Sequence, residues 1–157
     1  MIYAVLQVAN IDNTTPKKIF MTGATSGIGY QASLRLLKDG HEIIIPCRNN
    51  DTKDKTLAKI KEQKDLNVDI NLNTKLPIIN LSDLNSIKVC CDKLINDQQE
   101  IDTLILNAGL QYTGATSPKF SAQGYELTFA TNHLSHHYLT YLLLPLLYKS
   151  KSPRIVI

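Results

Sequence analysis

The stretch Thr22-Gly23-Ala24-Thr25-Ser26-Gly27-Ile28-Gly29 constrains this chain more than any other. It follows the apolar run Lys18-Ile19-Phe20-Met21, which reads as a short strand. It runs into residues 28–38, where Leu34, Leu36 and Leu37 mark a helix that stops at Gly40. Three glycines between a strand and a helix let the backbone adopt φ angles that side chains resist and let a ligand approach the main chain closely. The helix that follows presents free N–H groups and its positive end. That combination suits a pyrophosphate, and Gly27-Ile28-Gly29-Tyr30-Gln31-Ala32 also fits the general G-x-G-x-x-A pattern of dinucleotide sites.

The rest of the chain alternates in the same way. Strands are predicted at 41–46, 76–81, 103–106 and 154–157. Helices are predicted at 52–64, 84–97 and, as one long element entered by a separate turn, 122–149. Asp51 is the expected cap of the second helix, and Ser82 and Asp83 are candidates for the third. Strands such as Ile43-Ile44-Ile45 are apolar without alternation, as in a parallel sheet covered on both faces. Right-handed crossovers then give an α/β, Rossmann-like, doubly wound sheet of about five strands in the order 3-2-1-4-5, with its ligand beyond the strand C-termini near strand one. Residues 17–157 form this domain, and residues 1–16 are expected to stand outside it as an extension.

Composition removes several alternatives. A chain of 157 residues with 43% hydrophobic and 20% charged residues can bury a core, so disorder is a poor reading. The net charge is only +3, and Lys53, Lys55, Lys59, Lys61 and Lys64 alternate with Asp51, Asp54, Glu62 and Asp65; that is a solvated helix face, and no nucleic-acid partner is expected. Cys47, Cys90 and Cys91 lack the spacing of a disulfide framework or a zinc site, which fits a reducing cytoplasm. The N-terminus lacks the basic start and long apolar run of a signal peptide. The most apolar segment, 138–148, is interrupted by Pro145 and is too short to span a bilayer, so no membrane span is expected. His133, His136 and His137 sit at helical spacing but lack an accompanying carboxylate or cysteine cluster, and no metal is expected.

The extended pattern T-G-x-x-x-G-x-G, with Asn107-Ala108-Gly109 after the fourth strand and Asn132 inside the long helix, resembles the short-chain dehydrogenase/reductase family over residues 17–157. Cys47-Arg48-Asn49, Gly124-Tyr125-Glu126-Leu127 and Thr131-Asn132-His133-Leu134-Ser135-His136 are most similar to its retinol-dehydrogenase and light-dependent protochlorophyllide-reductase branch. Protochlorophyllide reductases themselves usually depart from N-A-G at the second motif. The resemblance implies that Gly23, Thr25, Ser26, Gly27, Ile28, Gly29, Asn107, Ala108 and Gly109 hold a dinucleotide. Where the family places an Asp against the adenine, this chain has Asn80-Leu81, which can still offer a carbonyl and an amide.

Strand two ends in Arg48-Asn49 rather than in an acid that would bind the ribose hydroxyls. A guanidinium there suits a 2′-phosphate, so the expected cofactor is NADP(H); the plainer alternative is a surface Arg. Asn132 is the catalytic residue the resemblance implies, its backbone holding water in a proton relay; the alternative is a tolerated polar position. The family's catalytic Ser, and Tyr with Lys four residues later, are missing: none of the chain's seven Tyr residues has Lys at that spacing. The chain is therefore expected to be a C-terminally truncated NADP(H)-dependent oxidoreductase that lacks the family's last strands and is inactive as it stands, its small-molecule substrate belonging to the complete parent. The alternative is a non-catalytic NADP(H)-binding sensor or interaction module. Homo-oligomerisation through 122–149 is a further implication, with Leu142, Leu143, Leu146 and Leu147 as core or packing residues.

Overall fold

The computed structural model describes residues 15–63, 66, 69–111 and 117–157. Five parallel strands, β1 (Lys18–Thr22), β2 (Glu42–Ile44), β3 (Thr74–Lys75), β4 (Thr103–Leu106) and β5 (Arg154–Val156), form one sheet in the order β3-β2-β1-β4-β5. The expected fold class and strand order are thus observed. The central strand β1 pairs with both β2 and β4, with Phe20 opposite Ile44 on one side and Leu104 on the other.

Alternation of side chains along the strands divides the core between the two faces of the sheet. Ile19, Met21, Ile43, Ile45 and Ile105 pack with Leu34 and Leu37 of α1 (Gly27–Lys38) and with Ile60 of α2 (Asn50–Lys61). Phe20, Ile44, Leu104 and Leu106 face the other way, onto α4 (Leu84–Asn96) and the long helix. A short α3 (Ile70–Asn73) leads into β3. Burial on both faces explains why these strands carry no polar alternation.

Three expectations need correction. The third strand lies upstream of 76–81, at Thr74–Lys75. Pro77 has no N–H to donate, so the regular ladder breaks there. Pairing nonetheless continues through Cys47 N–H to the Pro77 carbonyl and Ile79 N–H to the Cys47 carbonyl, both at 2.8 Å. The cap of α2 is Asn49, whose Oδ1 accepts the Thr52 N–H at 2.9 Å, whereas Asp51 pairs with Lys55. Asp83 does cap α4, through the Asn85 N–H.

The helix predicted at 122–149 also starts later. Residues 120–126 form a tight reversal, with Phe120 bridged to Glu126 and Gly124 at φ +79°. Helix follows as α5 (Leu127–Phe129), a π turn at Ala130–Leu134, and α6 (Ser135–Leu147). Pro145 lies on the exposed side of α6, and the helix passes it without ending. No helix among the described residues is long and apolar enough to cross a membrane. Most of the expected extension, residues 1–14, falls outside the described residues.

At the strand N-termini, Asp102 fixes the sheet from below. One carboxylate oxygen accepts the Lys18 N–H at 2.8 Å and the other accepts the Ser150 hydroxyl at 2.6 Å.

Candidate cofactor site

A cleft of about 360 Å³ opens beyond the C-terminal ends of the strands, where a doubly wound sheet binds ligands. Gly23, Thr25, Arg48, Asn80, Leu81, Ala108 and Gly109, all singled out from sequence, line it. Pro46, Thr52, Ile79, Ser82, Leu110, Leu127 and Thr131 line it too; the sequence alone marks none of them as a ligand contact, although Leu127 and Thr131 lie within the motifs that carry the resemblance. Ser26, Gly27, Ile28, Gly29, Asn49, Asn107 and Asn132 do not line the cleft itself; Ser26 and Gly27 stand beside it, directly after Thr25 at the N-terminus of α1, whereas Asn107 and Asn132 hold other residues in place.

The three glycines of the turn have different physical reasons to be there. Gly23 has φ +69°, and a Cβ on it would lie 2.7 Å from the Ala108 Cα. Gly29 has no positive φ, but a Cβ there would run into the Gly23 carbonyl and lie 2.5 Å from Asn107 Nδ2. These two glycines admit the Asn107-Ala108 loop, rather than a ligand, against the turn. Gly27 has φ +55° and open space where its Cβ would be. Ser26 is the N-cap of α1, yet its side chain makes no capping hydrogen bond, and the first turn carries no acid. That helix end therefore keeps both its free N–H groups and its positive dipole for an anion. The turn as built fits a dinucleotide pyrophosphate.

Asn107 and Asn132 are braces. Asn107 Nδ2 donates to the carbonyls of Thr22 at 3.2 Å and Gly23 at 3.3 Å. Asn132 Nδ2 donates to the Leu110 carbonyl while its Oδ1 accepts the Leu110 N–H, both at 2.8 Å. An amide side chain can satisfy one residue's backbone in this paired fashion. It lies in the π turn, a distortion often found where helices carry functional groups. Asn80 spends its Oδ1 locally, on the Ser82 N–H and hydroxyl, which leaves its amide for a ligand. Asn49, expected at the cofactor, has its Oδ1 engaged in capping α2.

Arg48 is exposed at the end of the β2 segment, on the rim of the cleft. Among the described residues nothing neutralises its guanidinium, because the neighbouring Asp51 is paired with Lys55. On the other wall, the reversal at 120–126 is tied to the start of α4: Gln123 accepts the Leu84 N–H at 3.1 Å and donates to Asp83 at 2.8 Å.

No group of three or more His, Cys, Asp or Glu able to hold a metal occurs among the described residues. The three thiols are buried and free, and burial raises them: Cys47 and Cys90 to about 11, Cys91 to about 12. They are inert groups outside the cleft.

Comparison with known proteins agrees with this architecture. The short chain dehydrogenase family matches residues 17–157. Human retinol dehydrogenase 13 is 36% identical over 141 residues, covering 89% of this chain and 40% of the relative. The chloroplastic protochlorophyllide reductase of Marchantia paleacea is 29% identical over 138 residues, covering 87% of this chain and 29% of the relative. The chain thus spans two-fifths or less of the length of these relatives. Among solved structures, the alcohol dehydrogenase of Thermococcus sibiricus complexed with 5-hydroxy-NADP superposes with a TM-score of 0.68 at 20% identity, covering 90% of this chain and 57% of that one. The RhlG/NADP complex of Pseudomonas aeruginosa gives 0.68 at 23% identity, covering 88% and 51%. With the family match over nearly its whole length, the observed strand order and the glycine turn packed against its N-A-G loop, this chain belongs to the short-chain dehydrogenase family.

Proposed function

We propose that the chain is the NADP(H)-binding half of a short-chain oxidoreductase of the retinol-dehydrogenase and protochlorophyllide-reductase-like branch. The observation that carries this is the cleft with the α1 N-terminus beside it: a helix end without a side-chain cap, open space at Gly27, and on one rim Arg48, which no acid neutralises among the described residues. The pyrophosphate would lie over the N-terminus of α1. Arg48 would take the 2′-phosphate as a two-pronged hydrogen-bond donor, and the Asn80 amide and Leu81 would meet the adenine. A nicotinamide bound there would donate hydride to a carbonyl or a protochlorophyllide-like double bond, or in its oxidised form accept hydride from an alcohol. The residues of this chain bind and orient it: Asn132 acts here by holding the Leu110 backbone rather than by meeting substrate. Two structures with this fold contain NADP or a derivative of it, which is in keeping with the choice of cofactor.

Arg48→Ala tests the reading. A charge-assisted hydrogen-bonded pair contributes about 1.5–3 kcal/mol, so NADPH affinity should fall by roughly ten- to a hundredfold in a fluorescence titration. NADH affinity should change by less than about twofold, because it has no 2′-phosphate to lose. Equal losses for both would remove the 2′-phosphate role.

A non-catalytic NADP(H) sensor or interaction module would use the same cleft. The two readings part on turnover. NADPH oxidation by the natural gene product with a retinal-like aldehyde supports the enzyme; tight binding without turnover across aldehydes, ketones and protochlorophyllide supports the sensor.

A further inference from the structure

His136 lies on the core-facing side of α6, among Leu139, Leu143 and Leu146, and is only 6% exposed. Its Nε2 is 3.1 Å from Thr22 Oγ1. That hydroxyl oxygen also accepts the Ala108 N–H at 3.0 Å. Thr22 is fully buried and immediately precedes Gly23 of the turn, and Ala108 is the middle residue of the N-A-G loop. A single imidazole therefore joins the long helix to both loops that line the cleft.

The protons in this chain of groups have one consistent arrangement. A hydroxyl has one proton and two lone pairs. With one lone pair of Thr22 taken by the Ala108 N–H, its proton needs an acceptor, and an unprotonated Nε2 is in place to be one. The neutral imidazole then carries its proton on Nδ1. Burial is the main influence and holds the ring below its ordinary pKa; hydrogen bonding to the Asn132 backbone opposes it, and His133 adds to the lowering. The ring thus also reaches the π turn whose Asn132 side chain braces Leu110. Packing leaves little slack in this arrangement, since Ala108 sits where any side chain on Gly23 would have to go.

We infer that His136 is a positioning residue for the cleft: it orients the Thr22 hydroxyl, and that hydroxyl fixes the Ala108 peptide along the wall where the cofactor would lie. The ligand in this statement rests on the proposed NADP(H) site; the hydrogen-bond chain does not.

The experiment is NMR on the ¹⁵N-labelled chain, with His136→Phe, Thr22→Val and Thr22→Ser variants. The expected signature is a neutral Nδ1–H tautomer of His136 at pH 7.5 and a slowly exchanging Ala108 amide. His136→Phe and Thr22→Val should each speed Ala108 exchange by about tenfold, the equivalent of one lost hydrogen bond, while β4 amides stay protected. The double variant should lose no more than Thr22→Val alone, and Thr22→Ser should keep the protection. NADPH affinity should fall about three- to tenfold in parallel. An Nε2–H tautomer, an unchanged Ala108 amide, or exchange that rises equally throughout the sheet would overturn the role. If the parent chain binds neither NADPH nor NADH, the cofactor reading fails, and the Ala108 amide still decides whether His136 positions that loop.

Discussion

Replacing the turn glycines one at a time with alanine separates the reasons they are present. Gly27→Ala puts a side chain into the left-handed region at φ +55° but into open space. The cost should be the conformational term alone, about 1–2 kcal/mol. Gly23→Ala carries the same strain at φ +69° and adds a Cβ 2.7 Å from the Ala108 Cα and 2.9 Å from its N. Those contacts are backbone and cannot swing aside, so an overpacking term of about 1–3 kcal/mol is added, giving roughly 2–5 kcal/mol in all. Gly29→Ala has no positive φ and gains about 1 kcal/mol of helix propensity, yet it meets the Gly23 carbonyl and should still be net destabilising. Domains of this class have about 5–15 kcal/mol of total stability, so Gly23→Ala should lower Tm by roughly 5–15 °C and Gly27→Ala by a few degrees. Urea unfolding followed by far-UV circular dichroism measures the differences, with unchanged m values as the check that the same surface is exposed. If Gly23→Ala proves no more destabilising than Gly27→Ala, the N-A-G loop is not packed against the turn as described. A converse result would be equally informative for binding: Gly27→Ala, placed where a pyrophosphate would pass, should impair NADPH binding more than its small stability loss suggests.

Other outcomes follow from the braces and the buried groups. Asn132→Leu removes both hydrogen bonds to Leu110 and should cost about 1–3 kcal/mol by denaturant titration, with faster amide exchange at Leu110; a neutral effect would mean that the loop is held from elsewhere. His41 and His136 both have pKa values lowered from 6.5, chiefly by burial. Because the unfolded chain binds protons that the folded chain does not, stability should be full above about pH 6.5 and decline as pH falls below it; a curve flat from pH 7 to 5 would contradict this. The decline should shrink in a variant lacking His136. Cys47, Cys90 and Cys91 should react with a disulfide reagent at pH 8 at least about tenfold more slowly in the native chain than in urea, and a rapidly labelled native thiol would show that its surroundings are open.

Much of this was legible because patterning and fold coincide. As expected, β4 is found at Thr103–Leu106 and the glycine turn follows β1, with Gly27 and Gly29 already in the first turn of α1. Where sequence and structure part, tertiary contacts decide. Pro77 lies within an apolar run but has no N–H to give the ladder, so the regular part of the third strand is Thr74–Lys75, paired with Ile43 and Ile44. Asn49 and Asp51 are both plausible caps, and only the extended backbone of Asn49, at φ −158°, settles which one is used. The glycines at 23 and 29 invited a ligand-centred explanation because their partner, the Asn107-Ala108 loop, is remote in sequence. His136 carried one weak signal: a polar residue three positions before Leu139 and seven before Leu143, on a face otherwise apolar. Nothing in its own neighbourhood pointed to Thr22.

The pairing of the turn with the N-A-G loop has a consequence for how the chain is made. Asn107 reaches back 85 residues to the Thr22 carbonyl, and β1 takes its second neighbour only when β4 arrives. At a synthesis rate of about 5–20 residues per second, the glycine turn waits roughly 4–17 s for the loop that packs against it. During that interval Gly23 and Gly29 have no Asn107-Ala108 loop to press against, and the glycines of the segment keep their conformational freedom. The element that looks most like a self-contained motif is therefore completed only once β4 and the loop after it have been made, and until then an emerging chain should be open to chaperones and proteases at the place where its cofactor would bind.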